Sequence, residues 1–397
     1  MKIEQIDVIM PIKTQYGVLY RFTQALVEAF QRMGIGVTTL VIDPNKKDPK
    51  AFFEQVLRDQ PDFTLAFNGI LPDENGLFLC DLLKIPHVAC LVDSPVTYMD
   101  LTKSPLSIIA NPDRSASFFL NKAGFDNTCF MPHGTERDLQ APPPSSERPY
   151  DVVFLGSCID PQAIQTNWQK LYPPPLVQML EECAAMVLSD QRTPYADILT
   201  LRLQEALKRG TILKNQIDYI ALLVELEYFV RGKDRLELLK AIHHHPVHIF
   251  GDKFLEAKWE EILPHRSNIT LHPAVLFDQA LDIMRQSKIV LNSTPTIKHG
   301  GHERIFYGMA CNAAILTNET TYAKNAFDNG ENILLYQPSH WEEVDDLIGG
   351  LLQNPEKRIS LATQGHAVTM AEHTWDERAA RLIEQVEPLL EKINAAH

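Results

Sequence analysis

Short apolar runs alternate with longer stretches of helical spacing through the first 140 residues. Ile6–Met10, Val37–Ile42, Phe63–Phe67, His87–Val92, Ser107–Ala110 and Thr128–Met131 are continuous runs bounded by turn formers, the pattern of strands buried on both faces of a parallel sheet. Between them, Tyr20–Met33, Pro49–Arg58, Leu77–Leu83 and Ser115–Ala123 carry apolar residues at helical intervals. Strand and helix in alternation predict a Rossmann-like, doubly wound α/β domain over residues 1–140.

Residues 141–149, Ala-Pro-Pro-Pro-Ser-Ser-Glu-Arg-Pro, read as a linker, because consecutive prolines extend neither helix nor sheet. Tyr150–Ser157 then opens a second α/β pattern, and its strand ends in Gly156-Ser157, where the first phosphate-proximal turn of such a domain lies. The next strand, Val247–Asp252, arrives roughly 90 residues later, far beyond the dozen or so that a crossover needs. An insert over residues 160–245 accounts for the gap, with helical stretches near Leu176–Leu188, Ala196–Lys208 and Gln216–His243. Its leucine-rich helices carry apolar residues on more than one face, as helices packed together do. The insert serves acceptor binding or homodimerisation, and the sequence leaves both open.

The second pattern resumes through Asn268–Leu271, Ile289–Asn292, Ala314–Thr317 and Ile333–Tyr336. Helical spacing over Trp341–Gln353, Arg358–His373 and Arg378–Ile393 follows. The expected division is therefore a domain over 150–375 and a terminal helix over 376–397 that crosses back to the first domain. Two nucleotide-type folds facing each other across a cleft is the implied architecture.

Composition adds exclusions. A formal net charge of −14 over 397 residues opposes a nucleic-acid binder, which needs dense Lys and Arg to displace counterions. No apolar run reaches the ~20 residues of a membrane span, and the first residues lead straight into a strand pattern rather than a signal peptide, so a cytoplasmic protein is expected. The six cysteines are scattered and mostly lie in apolar runs, as buried thiols do. His243-His244-His245 with His248 has the composition of a metal cluster, but it lies at a helix end, where histidines suit the dipole; no metal site is expected.

The segment richest in chemistry runs from Ile289 to Thr317. A strand ends at Asn292, a polar loop follows, Gly300-Gly301 permits close backbone approach, and a helix opens near His302. Free N–H groups at a glycine-flanked helix start suit a diphosphate. Gly301-His302-Glu303-Arg304-Ile305-Phe306 through Ala310-Cys311-Asn312 resembles the donor-half pattern of the glycosyltransferases related to the spore-maturation protein CgeB, near the large retaining GT-B families. Phe327–Tyr336, His373–Arg378 and Pro132-His133-Gly134 are similar to other segments of that group. The likeness is good over about residues 245–390 and looser over 1–140.

The resemblance implies a GT-B fold and the metal-independent transfer of a sugar from a UDP-, GDP- or dTDP-sugar to a protein or surface glycan, with no tightly bound cofactor. Such enzymes place a Glu at Tyr307 to hold the ribose hydroxyls and another near the sugar at His299. Here Glu303, one helical turn before Tyr307, or Tyr307 itself replaces the ribose ligand. Arg304, the Gly300-Gly301-His302 amides and Lys253 are the phosphate candidates, because a departing nucleoside diphosphate gains negative charge. His299 stands as a candidate beside the diphosphate or sugar.

On the acceptor side, Tyr16 and Gly17 in the first βα loop and Asn68 after the third strand lie where α/β ligand sites form. Asp93 is the acid best placed to take an acceptor proton, were the reaction inverting. Two other readings are compatible with the same residues: a sugar-nucleotide epimerase, and a non-catalytic protein in which Tyr307 and Asn312 mark a decayed donor site.

Overall fold

The computed structural model describes residues 2–11, 15–41, 50–214, 217–251, 257–263 and 266–396. Ile42, Pro49, Gln216, Asp252 and Lys253, named above, lie outside the described residues. The chain divides into Met1–Asp138 with Met370–His397, and Leu139–Thr369.

The first unit carries strands β1 (Gln5–Met10), β2 (Gly36–Val41), β3 (Phe63–Phe67), β4 (His87–Cys90), β5 (Ser107–Asn111) and β6 (Thr128–Phe130). Their order is β2-β1-β3-β4-β5-β6, with every neighbouring pair parallel. Strands β3, β4 and β5 are buried at every residue, as expected of strands covered on both faces. Helices α1 (Val18–Arg32), α2 (Lys50–Asp59), α3 (Leu79–Leu83) and α4 (Arg114–Lys122) connect them. Asp113 caps α4 by accepting from the Ser115 amide.

The second unit begins with β7 (Tyr150–Leu155) and then departs into four helices: α5 (Pro161–Leu171), α6 (Pro174–Ser189), α7 (Tyr195–Arg209) and α8 (Tyr219–Ala241). Where the spacing predicts three helices, a fourth, α5, precedes them. Asp160 caps it by accepting from the amides of Gln162 and Ala163, and Pro161 occupies its first position. Fully buried Trp168 packs on Phe229 with ring centroids 4.7 Å apart, tying α5 to α8. Helix α8 buries residues around its whole circumference. Its last turns, through Leu238 and Leu239, enter the cluster formed by Val152, Phe154, Val247 and Ile249 under the sheet.

That sheet adds β8 (Val247–Phe250), β9 (Ile269–His272), β10 (Ser287–Asn292), β11 (Ala314–Asn318) and β12 (Leu334–Tyr336). All neighbours are parallel, in the order β12-β11-β10-β7-β8-β9. Helices α9 (Trp259–Ile262), α10 (Phe277–Arg285), α11 (Glu303–Ala310), α12 (Thr321–Ala326), α13 (Glu343–Gln353) and α14 (Pro355–Glu372) complete it. The proline-rich segment is fastened to this unit. Pro142 accepts from Arg148 and Asn312, while buried Arg148 also donates to the carbonyls of Ser287 and Cys311. Asn312 has a φ of 57°, a left-handed turn that asparagine tolerates after a helix. It thus serves the helix exit and the linker.

The last helix, α15 (Trp375–Ala396), clusters with the first unit. Trp375 meets Phe22 at 5.1 Å and Phe67 at 5.7 Å, and Asp376 accepts two bonds from Arg32 at 2.7 and 2.8 Å. Buried Arg378 donates to the His133 carbonyl at 2.9 Å and lies 2.9 Å from His373 Nδ1. Burial, with Arg378 and Arg381 nearby, pushes His373 down to about 3, so its ring stays neutral. All six cysteines are buried free thiols.

Candidate functional site

In the second sheet the chain runs outward from β7 through β8 to β9, then crosses to start the other half at β10. The point where strand order reverses lies between β7 and β10, and loops at the carboxyl ends of those strands form the crevice where open α/β sheets take ligands. Leu155-Gly156-Ser157 leaves β7 there, and Asn292-Ser293-Thr294 leaves β10.

Gly156 is fixed by packing. Its amide donates to the Phe250 carbonyl at 3.0 Å, its carbonyl accepts from Trp259 Nε1 at 3.1 Å, and a Cβ would come within 2.8 Å of the Phe154 ring. The Gly156 amide is thus held by β8. Ser157 offers its carbonyl to Arg235, 2.8 Å away. Asn292 is buried and donates to Thr317 Oγ1 at 3.0 Å, binding β10 to β11.

The loop after β10 is stitched to the inserted helices. Ser293 donates to Asp234 of α8 at 2.6 Å, and Trp341 Nε1 donates to the same carboxyl at 2.8 Å. Lys298, 1% exposed, donates to the carbonyls of Val187 and Asp190 at 2.9 and 2.6 Å. His299 Nε2 lies 2.6 Å from the Arg192 carbonyl, a contact that requires a proton on that nitrogen. Its Nε2 is thus engaged with the insert.

Gly300 and Gly301 are both buried. A Cβ on Gly301 would sit 2.4 Å from the Phe306 ring, so the glycine makes room for a ring of this chain. His302 is the N-cap of α11. Its Nδ1 lies 2.9 Å from Glu303 Oε2 and its Nε2 lies 3.2 Å from the Arg304 guanidinium. Arg304 also approaches Glu303 Oε1 at 3.7 Å. Tyr307 has no exposure, and its ring meets Phe277 of α10 edge-on at 4.9 Å. The Tyr307 side chain thus packs in the core. Glu303, with 21% of its side chain exposed, is the carboxylate that stays accessible.

Two residues escape the sequence reading. Arg231 and Arg235 stand one turn apart on α8, and Arg235 lies beneath the Gly156-Ser157 loop, its Cζ 3.7 Å from the position a Gly156 Cβ would take. Desolvation pushes the Arg235 guanidinium well below its ordinary range; the charges of Arg231 and Arg304 push it further, while Asp234 and Glu303 oppose. Arg304 is also lowered by desolvation, with Glu303 opposing and Arg231 adding. Asp234, which has Ser293 and Trp341 as hydrogen-bond donors, is raised by its own burial. The charges of three guanidinium groups therefore act on one another here, with Glu303 and a desolvated Asp234 among them and Glu227 pairing Arg231 at 3.4 Å. Arg235 is 4% exposed and acts from below, whereas Arg231 and Arg304 keep 32% and 22% of their side chains open. Such a concentration of positive charge is stabilised by an anion. In the sequence they are two of many charged residues on α8, beside Glu225, Glu227, Lys233, Asp234, Glu237 and Lys240, and nothing there sets them apart.

Residues 231–384 match the family model described as glycosyl transferase-like. The match opens at Arg231, midway along α8, and includes Arg235, Glu303 and Arg304. Among solved structures, the fold is similar to that of AviGT4, a glycosyltransferase involved in avilamycin A biosynthesis, at TM-score 0.56 and 11% identity over 98% of both chains. Sucrose-phosphate synthase from Thermosynechococcus elongatus gives 0.53 at 12% identity, covering 99% of this chain and 100% of that one. Anabaena HepE, solved with UDP and glucose, gives 0.51 at 11% identity, covering 98% and 100%. Two six-stranded parallel sheets with flanking helices are the GT-B glycosyltransferase fold. No curated protein matches the sequence.

The first unit brings Asn68 and Asp93 together. Asn68 has a φ of 58°, accepts from the Val92 amide at 3.0 Å and donates to Asp93 Oδ2 at 3.4 Å, leaving Asp93 exposed. Tyr16 and Gly17, with φ of 60° and 78°, form the entry to α1. All four lie at the carboxyl edge of their sheet.

Proposed function

We propose that this protein is a glycosyltransferase whose second unit holds a nucleotide sugar at the junction of β7 and β10. Arg235, which donates to the Ser157 carbonyl under that junction and feels the charges of Arg231 and Arg304, carries the reading. As the sugar leaves, charge builds on the diphosphate, and fixed guanidinium groups in a water-poor site stabilise it in the way a metal ion otherwise would. Transfer is accordingly metal-independent, and Glu303 holds the ribose hydroxyls. A place in the CgeB-like branch rests on the Gly301–Asn312 pattern.

The first unit takes the acceptor, a protein or a surface glycan. Asp93, steadied by Asn68, is the group proposed to receive the acceptor's proton. The HepE structures hold UDP, UDP with glucose, or UDP-glucose, which supports testing uridine donors first, with GDP- and dTDP-sugars alongside. The test is a thermal-shift panel of nucleoside diphosphates in chelator-treated buffer. One of them raises Tm without Mg²⁺, and the rise is lost in Arg304→Ala. No stabilisation by any nucleoside diphosphate overturns the proposal.

A further inference from the structure

Helix α7 ends at Gly210, whose left-handed φ of 69° lets the Gly210 amide bond to the Leu207 carbonyl and the Thr211 amide bond to that of Ala206. This C-cap turns Ile212 inward, where it is 2% exposed. The residues on either side point outward: Leu207 is 39% exposed and Leu213 59%. Lys208, Arg209 and Lys214 are exposed beside them. Residues 206–214 contain three cations and no acid, in a chain whose net charge is −14. On α7 itself, Leu201, Gln204 and Lys208, at i, i+3 and i+7, continue the outward face, with Leu201 52% exposed.

We infer that this cap of the inserted helices docks onto an anionic lipid surface. Leucines alone would suit any apolar partner, and cations alone any anionic one. Leucines flanked by lysine and arginine suit an interface that is apolar beneath and negative on top. A second copy of the chain fits less well, because a symmetric contact would set the three cations against their own equivalents. Nucleic acid gives the leucines nothing to bury against. The inference is independent of the donor site and of the proposed activity.

Co-sedimentation of the full-length protein with vesicles tests it. Binding is expected to phosphatidylcholine vesicles containing roughly one-third phosphatidylglycerol and not to phosphatidylcholine alone. About 0.5 M salt should weaken it, since screening shortens the reach of the cations. Each cation neutralised is worth about fivefold in partition, so the triple variant K208E/R209E/K214E should lose binding altogether. Leu213→Ser should lower it several-fold, with far-UV dichroism and Tm unchanged in both variants. Absence of binding to the anionic vesicles overturns the inference, as does equal binding by the triple variant. A concentration-dependent dimer abolished by Leu213→Ser, with no vesicle binding, would instead make a second copy the occupant.

Discussion

At Asp7, in the middle of β1, a carboxyl with no solvent exposure has Gln5 as a distant donor at 3.4 Å. Burial raises its pKa from 3.8 to about 6; Gln5 lowers it, Asp59 raises it and Thr38 lowers it. The folded state therefore prefers the protonated acid. Its contribution to stability is fully present below the unfolded pKa and is lost as pH rises through about 6. Denaturant titrations should show Asp7→Asn gaining about 1–3 kcal/mol over the parent at pH 8 and almost nothing at pH 4. At the donor site, Arg304→Ala should weaken nucleoside diphosphate binding about ten- to hundredfold by calorimetry, the scale of a lost charge-assisted hydrogen bond. Glu303→Ala should also weaken it. Tyr307→Phe, altering a buried ring, should leave the affinity within about twofold; a loss comparable to that of Arg304→Ala would return Tyr307 to the ribose contact.

Among the elements, the strands were the most legible part of the sequence, because a strand covered on both faces must be apolar throughout and stops at a turn residue. Runs such as Phe63–Phe67 coincide with β3 as read. Helix α5 was less visible: Gln162, Gln165, Thr166, Asn167 and Gln169 leave it few apolar positions, and its one large anchor, Trp168, needs Phe229 to explain it. The phosphate candidates divide for the same reason. Arg304 could be found because it stands inside a contiguous pattern. Arg231 and Arg235 could not, since only the folded arrangement brings α8 beneath Gly156 and beside α11. The polar loop after β10 is locked to the insert by Lys298, a tie that no sequence spacing announces. Lys298→Met strands the carbonyls of Val187 and Asp190, which costs about 1–3 kcal/mol. Hydrogen exchange should accelerate at residues 187–193 and 294–301 while β10 and β11 stay protected.

For the molecule as a whole, the division into two units makes unfolding other than all-or-none. Truncation after Thr369 removes Trp375 from Phe22 and Phe67, and Arg378 from the His133 carbonyl, yet leaves the residues of the second unit in place. Calorimetry on that truncation should lose one transition and keep another, and the remaining transition should still shift upward with the nucleoside diphosphate that stabilises the intact chain. Loss of both transitions would show that the second unit depends on the first.

The return of α15 to the first unit also orders events at the ribosome. Domains usually finish folding in the sequence in which they emerge. Here the amino-terminal sheet leaves the exit tunnel first but waits for its aromatic partner Trp375, which follows residues 139–369 in the chain, and those residues are by then already able to close. Of the two units, the one begun first is the one completed last, and in the interval Phe22 and Phe67 lack the ring that will cover them.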